Sequence, residues 1–504
     1  MPGSARALAA VDLGAESGRV VVAHLSDESV SLEVVHRFAN RPVRLHDGLH
    51  WNLPGIFTHL LDGLARAAGA AGPLDGIAID AWGVDYALLD DAGRMLGLPY
   101  HYRDGRVTAE VVERTYRRVP RSELYARTGI QALPINTIFQ LVSEADAAAA
   151  AAAARIALIP ELLGLWLSGE LVNEVTIAST TGLLEARSRR WASDLIARLG
   201  IPEGPFGGEP TEPGGLLGRV LPQHAAAAGA AAGTPVWIVA AHDTASAFVA
   251  APLAGPDAAV LSSGTWSLLG LETDEPCLGP DAATSNLTNE RGLDGRIRLL
   301  RNVMGLWLLQ ECRREWRATG AVDDYDALNA LARAAAPGVA LFDPDHESLL
   351  RGGEMRARIA AACTAAGEPA PADPGALVRS ILVSLACKYR FVLDRIQLVS
   401  GRPVSFVNVV GGGTRNALLC QLTADLLGLP VLAGPAEATA LGNVLVQARA
   451  LGELGPLAEM RELVGRSVPI TRYEPAGGRP DNETYERFLA VTGLASETAA
   501  HSTA

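Results

Sequence analysis

The sequence predicts an α/β protein built from two domains of similar plan, and three observations carry that expectation. A strand–turn–strand unit occurs twice, as AAVDLGAESGRVVVAHL from Ala9 and as AAVLSSGTWSLLGLE from Ala258. The copies lie roughly half a chain apart, which marks an internal duplication. Beyond Val404 the pattern alternates: strand Val404–Val410, three glycines, helix Asn416–Leu427, strand Pro430–Leu432, helix Ala438–Leu451. Such a βαβα run builds a parallel sheet. Finally, 504 residues, 49% of them hydrophobic, exceed what one compact core accommodates.

Taken in order, Ala7–Val11 and Arg19–Leu25 are apolar and flank a turn-like Asp12–Gly18, which reads as a hairpin. Ser31–Arg37 extends it as a further strand. Ile56–Ala71 has the apolar spacing of an amphipathic helix. Gly76–Asp80 is a short buried strand that stops on an acid. Ala145–Ile156 contains eight consecutive alanines and reads as a solvent-side helix. Pro235–Ala241 is another buried strand, running into His242-Asp243-Thr244. Ala258–Leu261 and Trp266–Leu271 flank the turn Ser262–Thr265, and Asn302–Trp316 and Leu377–Leu398 read as helices. Small residues with Pro252 and Gly255-Pro256 loosen the chain near Ala247–Pro256, giving expected domains of 1–246 and 247–490 and a tail of 491–504, frayed beyond about residue 495.

A formal charge of −13 repels nucleic acid and anionic membrane, so neither is expected as a partner. No apolar run reaches the roughly 18 residues that span a bilayer, and the N-terminus enters a strand without the basic and apolar regions of a cleavable leader. The five cysteines are scattered, and no two form a C-x-x-C pair. These features suit reduced thiols in a cytoplasmic protein. Lys388 is the only lysine, against 42 arginines. No Gly-Lys occurs, so a Walker A loop is excluded. Bound nucleotide is therefore left to backbone amides, hydroxyls and arginine, unless Lys388 alone serves it.

Asp12 ends the first strand, where a carboxylate can hold Mg²⁺, usually through waters. The loop after it is small and glycine-bearing, which lets backbone N–H groups approach phosphate oxygens, and Arg19 could pair with one. A plain tight hairpin has the same appearance. Ser262-Ser263-Gly264-Thr265 is the matching turn of the second half, and Gly411-Gly412-Gly413 follows a strand at the edge where α/β folds bind ligands. That triplet reads either as a flat surface for a nucleotide or as a strand-to-helix turn needing positive φ. Asp243 is the residue a sugar kinase needs, a carboxylate to take the proton of the attacking hydroxyl. It is equally placed to cap the helix that follows. In AIDAWGVDY, Trp82 and Tyr86 could wall a sugar ring and Gly83 give close backbone approach, or the segment is an aromatic core turn. Asn302 and Gln310, eight residues apart on one expected helix, share a face that lines a cleft or meets solvent.

Together these segments resemble the FGGY carbohydrate kinases, in the superfamily that joins sugar kinases, heat-shock chaperone ATPases and actin. The resemblance runs from Ala9 to about Leu489. It rests on VDLGAESGR, NRPV with GLHWN, DAWGVDYALLDDAGRMLGLPYHYRD, GIQALPINTIFQL, AHDTASAF, LSSGTWSLLG, NLTNERG followed by RNVMGLWLLQECRREW, and VVGGGTRNALLCQLTADLLGLPV. It implies two actin-like (ribonuclease H-like) domains with a nucleotide and sugar cleft between them, ATP and Mg²⁺, and a chain that works as a monomer or homodimer. By motif, Ala15, Glu16, Ser17, Gly18 and Arg19 form the first phosphate loop, Thr265 touches phosphate, and Gln310 and Gly412 hold the nucleotide. Gly83, His242, Asp243, Thr244 and Asn302 contact the sugar, with Asp243 the base, and Asp12 organises Mg²⁺. Glu16 departs from a common serine and would be repelled by phosphate, so its side chain is expected to point away. WGVDY, PYHYRD and NVMGLWLLQ narrow the resemblance to a kinase acting on the 1-hydroxyl of a 6-deoxyketose. The alternatives are a kinase of another ketose or polyol, such as L-fuculose or D-xylulose, and a non-catalytic sensor, which would have no need of Asp243.

Overall fold

The computed structural model describes residues 6–495 except 27, 253, 254, 256, 337 and 479. Part of the expected boundary at Ala247–Pro256 and the tail beyond 495 thus lie outside the described residues. The elements used below are, in chain order, strands β1 (Arg6–Leu13), β2 (Ser17–Leu25), β3 (Val30–Ala39), β4 (Gly76–Ala81), β5 (Leu216–Arg219), β6 (Pro235–Trp237), β7 (Ala258–Ser263), β8 (Trp266–Thr273), β9 (Ile297–Met304), β10 (Phe406–Val410), β11 (Val431–Ala433) and β12 (Thr471–Tyr473). The helices are α1 (Leu53–Ala71), α2 (Asp243–Val249), α3 (Trp307–Ala318), α4 (Pro374–Ser400), α5 (Ala417–Leu427) and α6 (Ala438–Ala450).

Two compact units are present, and both are discontinuous in sequence. The first comprises Met1–Pro252, Glu272–Leu299 and Glu437–Val468, and the second Leu253–Leu271, Leu300–Ala436 and Pro469–Ala504. The units therefore exchange segments across the division expected at residue 246.

In the first unit the sheet order is β3-β2-β1-β4-β6-β5. The hairpin β1–β2 and the pair β2–β3 are antiparallel, whereas β4 lies parallel to β1 and β6 parallel to β4. β1 is buried from Ala7 to Leu13, which explains its unbroken apolar run: a strand covered on both faces has no polar side to show. α1 covers β2. The Asn52 side chain accepts a hydrogen bond from Gly55 N, Pro54 sits in the first turn, and Ile56, Leu60, Leu64 and Ala67 form the buried stripe. α6, made late in the sequence, packs on β1 and on α2. Its approach to α2 requires Gly442, because a Cβ there would overlap the Ser246 carbonyl.

The second unit repeats the plan. Its sheet has seven strands, the edge strand Thr288–Arg291 followed by β9-β8-β7-β10-β11-β12. Again a central antiparallel hairpin, β7–β8, is followed by two parallel strands, β10 and β11, and an antiparallel edge. α4 carries 27 residues; Asp373 caps it through Ala376 N, and Gly401 stops it in the left-handed region at φ 65°. Each hairpin turn is closed by a glycine N–H, over three residues in the first, Gly14 N to Ser17 O at 3.1 Å, and over two in the second, Gly264 N to Trp266 O at 2.8 Å.

Four local expectations are corrected. Asp12 lies inside β1, so the turn is shorter than Asp12–Gly18. Asn302 lies on a strand, not on the helix of Gln310: β9 runs to Met304, and Gly305 turns the chain into α3 where a Cβ would come within 2.6 Å of the Trp266 backbone. The alanine run forms only Ala148–Ala152 before a strand, Arg155–Leu158, which pairs with Tyr86–Leu89 and buries Ile156 and Leu158. There tertiary pairing overrides helix propensity. The strand expected over Pro235–Ala241 closes at Trp237, after a register shift against β5, although Ala81 N still bonds Ala241 O at 2.9 Å. Among the described residues no helix is long and apolar enough to cross a membrane.

Candidate active site

The parallel strands of the first unit bring acids to one edge. Asp12 and Asp80 are register partners on β1 and β4, and Ala81 bridges to His242, one residue before Asp243. Asp12 and Asp80 are both buried. Burial pushes the Asp12 carboxyl up against the pull of Arg19, and the charges of Asp243 and Glu437 push the same way. Asp80 stands well above the ordinary carboxylate range, through burial first and then the charge of Asp12; a hydrogen bond from Asn443 opposes this. Its Oδ2 accepts from Asn443 Nδ2 at 2.6 Å, and its buried Oδ1 has no hydrogen-bond partner among the described residues. Gln447, one turn along α6, donates to Asn443 Oδ1 at 2.8 Å and to Ala9 O at 3.0 Å.

Arg19 faces Asp12 across the hairpin. Its Nε and Nη2 lie 2.7 and 2.6 Å from Asp12 Oδ2, and its Nη1 lies 3.0 Å from Glu437 Oε2. In this state the arginine is a counter-ion to the buried acids. The turn beside it is pinned by Asn40, whose N donates to Glu16 O at 3.0 Å and whose Nδ2 donates to Gly14 O at 3.2 Å. Gly18 is required for packing, because the Phe38 ring and Leu13 fill the space a side chain would need.

Asp243 is the first residue of α2, and its two oxygens differ. Oδ1 accepts from Thr244 N at 2.6 Å and Thr244 Oγ1 at 3.1 Å, and His242 Nε2 is 3.4 Å away. Oδ2 has no protein partner among the described residues, and the side chain is 27% exposed. Burial raises the carboxyl, against His242, the Thr244 hydrogen bonds and Arg298. The carboxylate does not cap its helix from outside, since His242 holds that position without a side-chain bond. The approach to Asp243 is held by groups the sequence reading missed. Glu174 Oε2 accepts from Ala241 N at 3.1 Å, and Thr176 Oγ1 from His242 N at 3.3 Å. Burial raises Glu174 to about 7, against hydrogen bonds from Thr176, Ile177 and Ala241. An acid before V-T-I is an N-cap pattern, the one local signal available.

Gly83 lies in the first unit against Thr180, whose Oγ1 would be 3.0 Å from an added Cβ. Val84 follows at φ 70°, a strained position for a β-branched residue. Three hydrogen bonds hold it, Val84 N to Thr180 Oγ1 at 3.2 Å, Thr137 Oγ1 to Val84 O at 2.6 Å and Gln140 Nε2 to Val84 O at 3.3 Å. Trp82 and Tyr86 are buried, so neither offers a free face to a sugar. Instead, Asp85 takes the indole N–H groups of Trp51 at 2.6 Å and Trp82 at 2.9 Å, with Gln140 Nε2 at 3.1 Å. Burial lifts Asp85 to about 6 in spite of them.

In the second unit the turn Gly264-Thr265 seats the start of α3, with Leu306 N on Gly264 O at 3.0 Å and Trp307 N on Thr265 O at 3.1 Å. This brings Thr265 Oγ1 to 3.5 Å from Gln310 Oε1, so two of the residues assigned to ATP meet. The three glycines divide. Gly411 needs its φ of 83°, and Gly413 is pressed on Ser263, whose side chain a Cβ would overlap. Gly412 is exposed and faces open space. Lys388 is buried and salt-bridged, its Nζ 2.8 Å from Asp343 Oδ1 and 3.2 Å from Asp345 Oδ2, so it is not a phosphate-reaching lysine. Asp345 Oδ1 in turn accepts from Met304 N at 2.8 Å and fixes the end of the strand that carries Asn302.

Residues 7–250 match the N-terminal domain, and residues 259–451 the C-terminal domain, of the FGGY family of carbohydrate kinases. A rhamnulokinase of Bacteroides thetaiotaomicron is 40% identical over 468 residues, covering 92% of this chain and 95% of that protein. A rhamnulokinase of Pectobacterium carotovorum is 40% identical over 489 residues, covering 96% of each. The solved structure of a xylulose kinase from Rhodospirillum rubrum, 20% identical, matches with a TM-score of 0.75 over 97% of this chain and 99% of that one, a likeness of fold. The duplicated, hairpin-led α/β plan is an actin-like fold. The chain belongs to the FGGY family of carbohydrate kinases. Membership implies ATP as the phosphoryl donor and a sugar as the acceptor.

Proposed function

We propose that this kinase transfers the γ-phosphoryl group of ATP to the 1-hydroxyl of L-rhamnulose, giving L-rhamnulose 1-phosphate and ADP, in the breakdown of L-rhamnose. The chemistry rests on one observation: Asp243 has one oxygen tied down and the other without a protein partner. Asp243 Oδ2 takes the hydroxyl proton while the sugar oxygen bonds to the γ-phosphorus and the bond to the β,γ-bridging oxygen breaks, releasing ADP. The choice of sugar follows the relatives named rhamnulokinase, with which the chain shares 40% of its residues almost end to end.

In this reading Gly83, His242, Thr244 and Asn302 contact the sugar, Ala15 to Arg19 and Thr265 the phosphates, and Gln310 and Gly412 the nucleoside. The N-terminal domain, 1–246, then supplies sugar binding and the base, and the C-terminal domain, 247–490, the adenosine site. Asp12 would hold Mg²⁺, usually through waters. The residues fit that ion: two buried carboxyls stand side by side, one with an orphaned oxygen, and a cation offsets their repulsion. Among the described residues no group of three or more His, Cys, Asp or Glu forms a metal cage, which suits an ion held by one or two carboxylates and the phosphates of its nucleotide. When bound, it neutralises charge on the β- and γ-phosphates. A cytoplasmic site of action and a monomeric or homodimeric state complete the proposal.

The test is a substrate panel, with purified protein, ATP-Mg²⁺ and coupled detection of ADP. The highest kcat/KM is expected for L-rhamnulose; a clear preference for L-fuculose or D-xylulose would overturn the assignment. A second expectation concerns the nucleotide. Gly412→Val fills open space, so the melting temperature should hardly move, while KM for ATP rises on the order of tenfold, the effect of overpacking a contact by about 1–3 kcal/mol. An unchanged KM for ATP would remove Gly412 from the nucleotide site.

A further inference from the structure

We infer that Arg298 fixes the tautomer of His242 and so aims the ring's Nε2–H at Asp243, which makes His242 and Arg298 positioning residues for the base. The inference rests on the reading of Asp243 as that base.

Arg298 lies on β9 and is fully buried. Its guanidinium is tied on several sides. Nε donates to Arg291 O at 2.9 Å, Nη1 sits 3.1 Å from Glu290 Oε2, and the Phe248 ring of α2 lies 5.8 Å from its centre. Its remaining nitrogen, Nη2, is 3.0 Å from His242 Nδ1. A guanidinium has five N–H donors, no acceptor, and does not lose its proton in a protein. A hydrogen bond between these two atoms therefore exists only if Nδ1 is the acceptor. The ring hydrogen is then on Nε2, the atom 3.4 Å from Asp243 Oδ1. Glu290 Oε2 also lies 3.4 Å from Nδ1 and would favour a hydrogen there, but the nearer Arg298 occupies that side and pairs with Glu290 itself. One histidine nitrogen thus sets the role of the other.

The consequence falls on Asp243. With the hydrogen on Nε2, three donors converge on Oδ1: Thr244 N, Thr244 Oγ1 and His242 Nε2. The carboxylate plane is fixed and Oδ2 is the oxygen presented outward. With the other tautomer, a ring lone pair would face the Oδ1 lone pairs and push the carboxylate away. The 3.4 Å separation is long for a hydrogen bond, as such contacts often are before substrate tightens the site. On this view both ring nitrogens of His242 are committed, to Arg298 and Asp243, so the contact with the sugar is left to the ring's carbon edge.

The test begins on the wild-type protein, labelled with ¹⁵N-histidine, with His242→Gln used to assign the resonance. The neutral Nε2–H tautomer is expected at His242; an Nδ1–H tautomer there would overturn the inference without any appeal to a variant's folding. Arg298→Gln is then expected to lower kcat by about 10²-fold, the scale of a small misplacement at a reacting group, with KM for ATP unchanged and the His242 resonance moved toward the Nδ1–H form. Arg298→Lys, which restores a donor at Nδ1, should recover part of both. A folded Arg298→Gln enzyme with wild-type kcat would also overturn the role. Asp243→Asn separates the two layers. If it loses turnover while wild-type His242 is Nδ1–H, the positioning role alone falls; if it keeps turnover, the base assignment falls beneath it.

Discussion

Asp243→Asn is expected to retain ATP binding and to lose turnover by about 10²–10⁴-fold, the usual contribution of one general base. The substitution is nearly isosteric. Its amide oxygen can still accept from Thr244 N and Thr244 Oγ1, so α2 keeps its first turn. What disappears is the outward carboxylate oxygen proposed to take the hydroxyl proton. A nucleotide titration followed by the coupled ADP assay reads the two effects separately. Near-normal turnover in a variant that binds ATP would refute the role.

The second large effect is on stability. Lys388→Met should cost about 3–5 kcal/mol, because it leaves Asp343 and Asp345 beside a buried site without their cation. Denaturant unfolding measures it, and Asp343→Asn added to Lys388→Met should recover part of the loss, as coupled partners do. The effect depends on pH. Burial alone would raise Asp343, but the charge and hydrogen bond of Lys388 outweigh it, so its carboxyl stands below the ordinary value. A carboxylate whose pKa is lower in the folded state binds fewer protons folded than unfolded. Its contribution is therefore complete above the unfolded value, about 4, and is lost as pH falls through the folded value below that. The gap between wild type and Lys388→Met should be full at neutral pH and close under acid. A gap that persists unchanged at low pH would show that the ion pair is not its source.

Much of this arrangement was legible because it is local. Asp12, Asp80 and the His242-Asp243-Thr244 run all announce themselves as polar residues at the ends of short apolar runs, and the repeated hairpin exposes the duplication. Gly411-Gly412-Gly413 was recognisable as a site, but not its internal division, which depends on where Ser263 presses. Illegible were contacts whose partners lie far along the chain. Asn443 reaches Asp80 across 363 residues, and Arg298 reaches His242 across 56. Neither leaves a periodicity or a motif. Asn302 and the alanine run failed for a related reason: helix-favouring residues were captured by strand pairing that propensity alone does not register. Trp82 and Tyr86 are read correctly only once Asp85 and Gln140 are seen to enclose them.

The late arrival of α6 bears on how the protein is made. A nascent chain emerging from the ribosome presents β1, β4 and the Asp243 turn long before Glu437, Asn443 and Gln447 exist to meet them. At 5–20 residues per second, the interval between Pro252 and Glu437 is roughly 10–40 s. Throughout that time Asp80 has no amide partner, and the face of β1 that α6 covers is bare. The first unit begun is thus completed only after the body of the second has been synthesised, and the buried acids Asp12 and Asp80 acquire their surroundings near the end of translation.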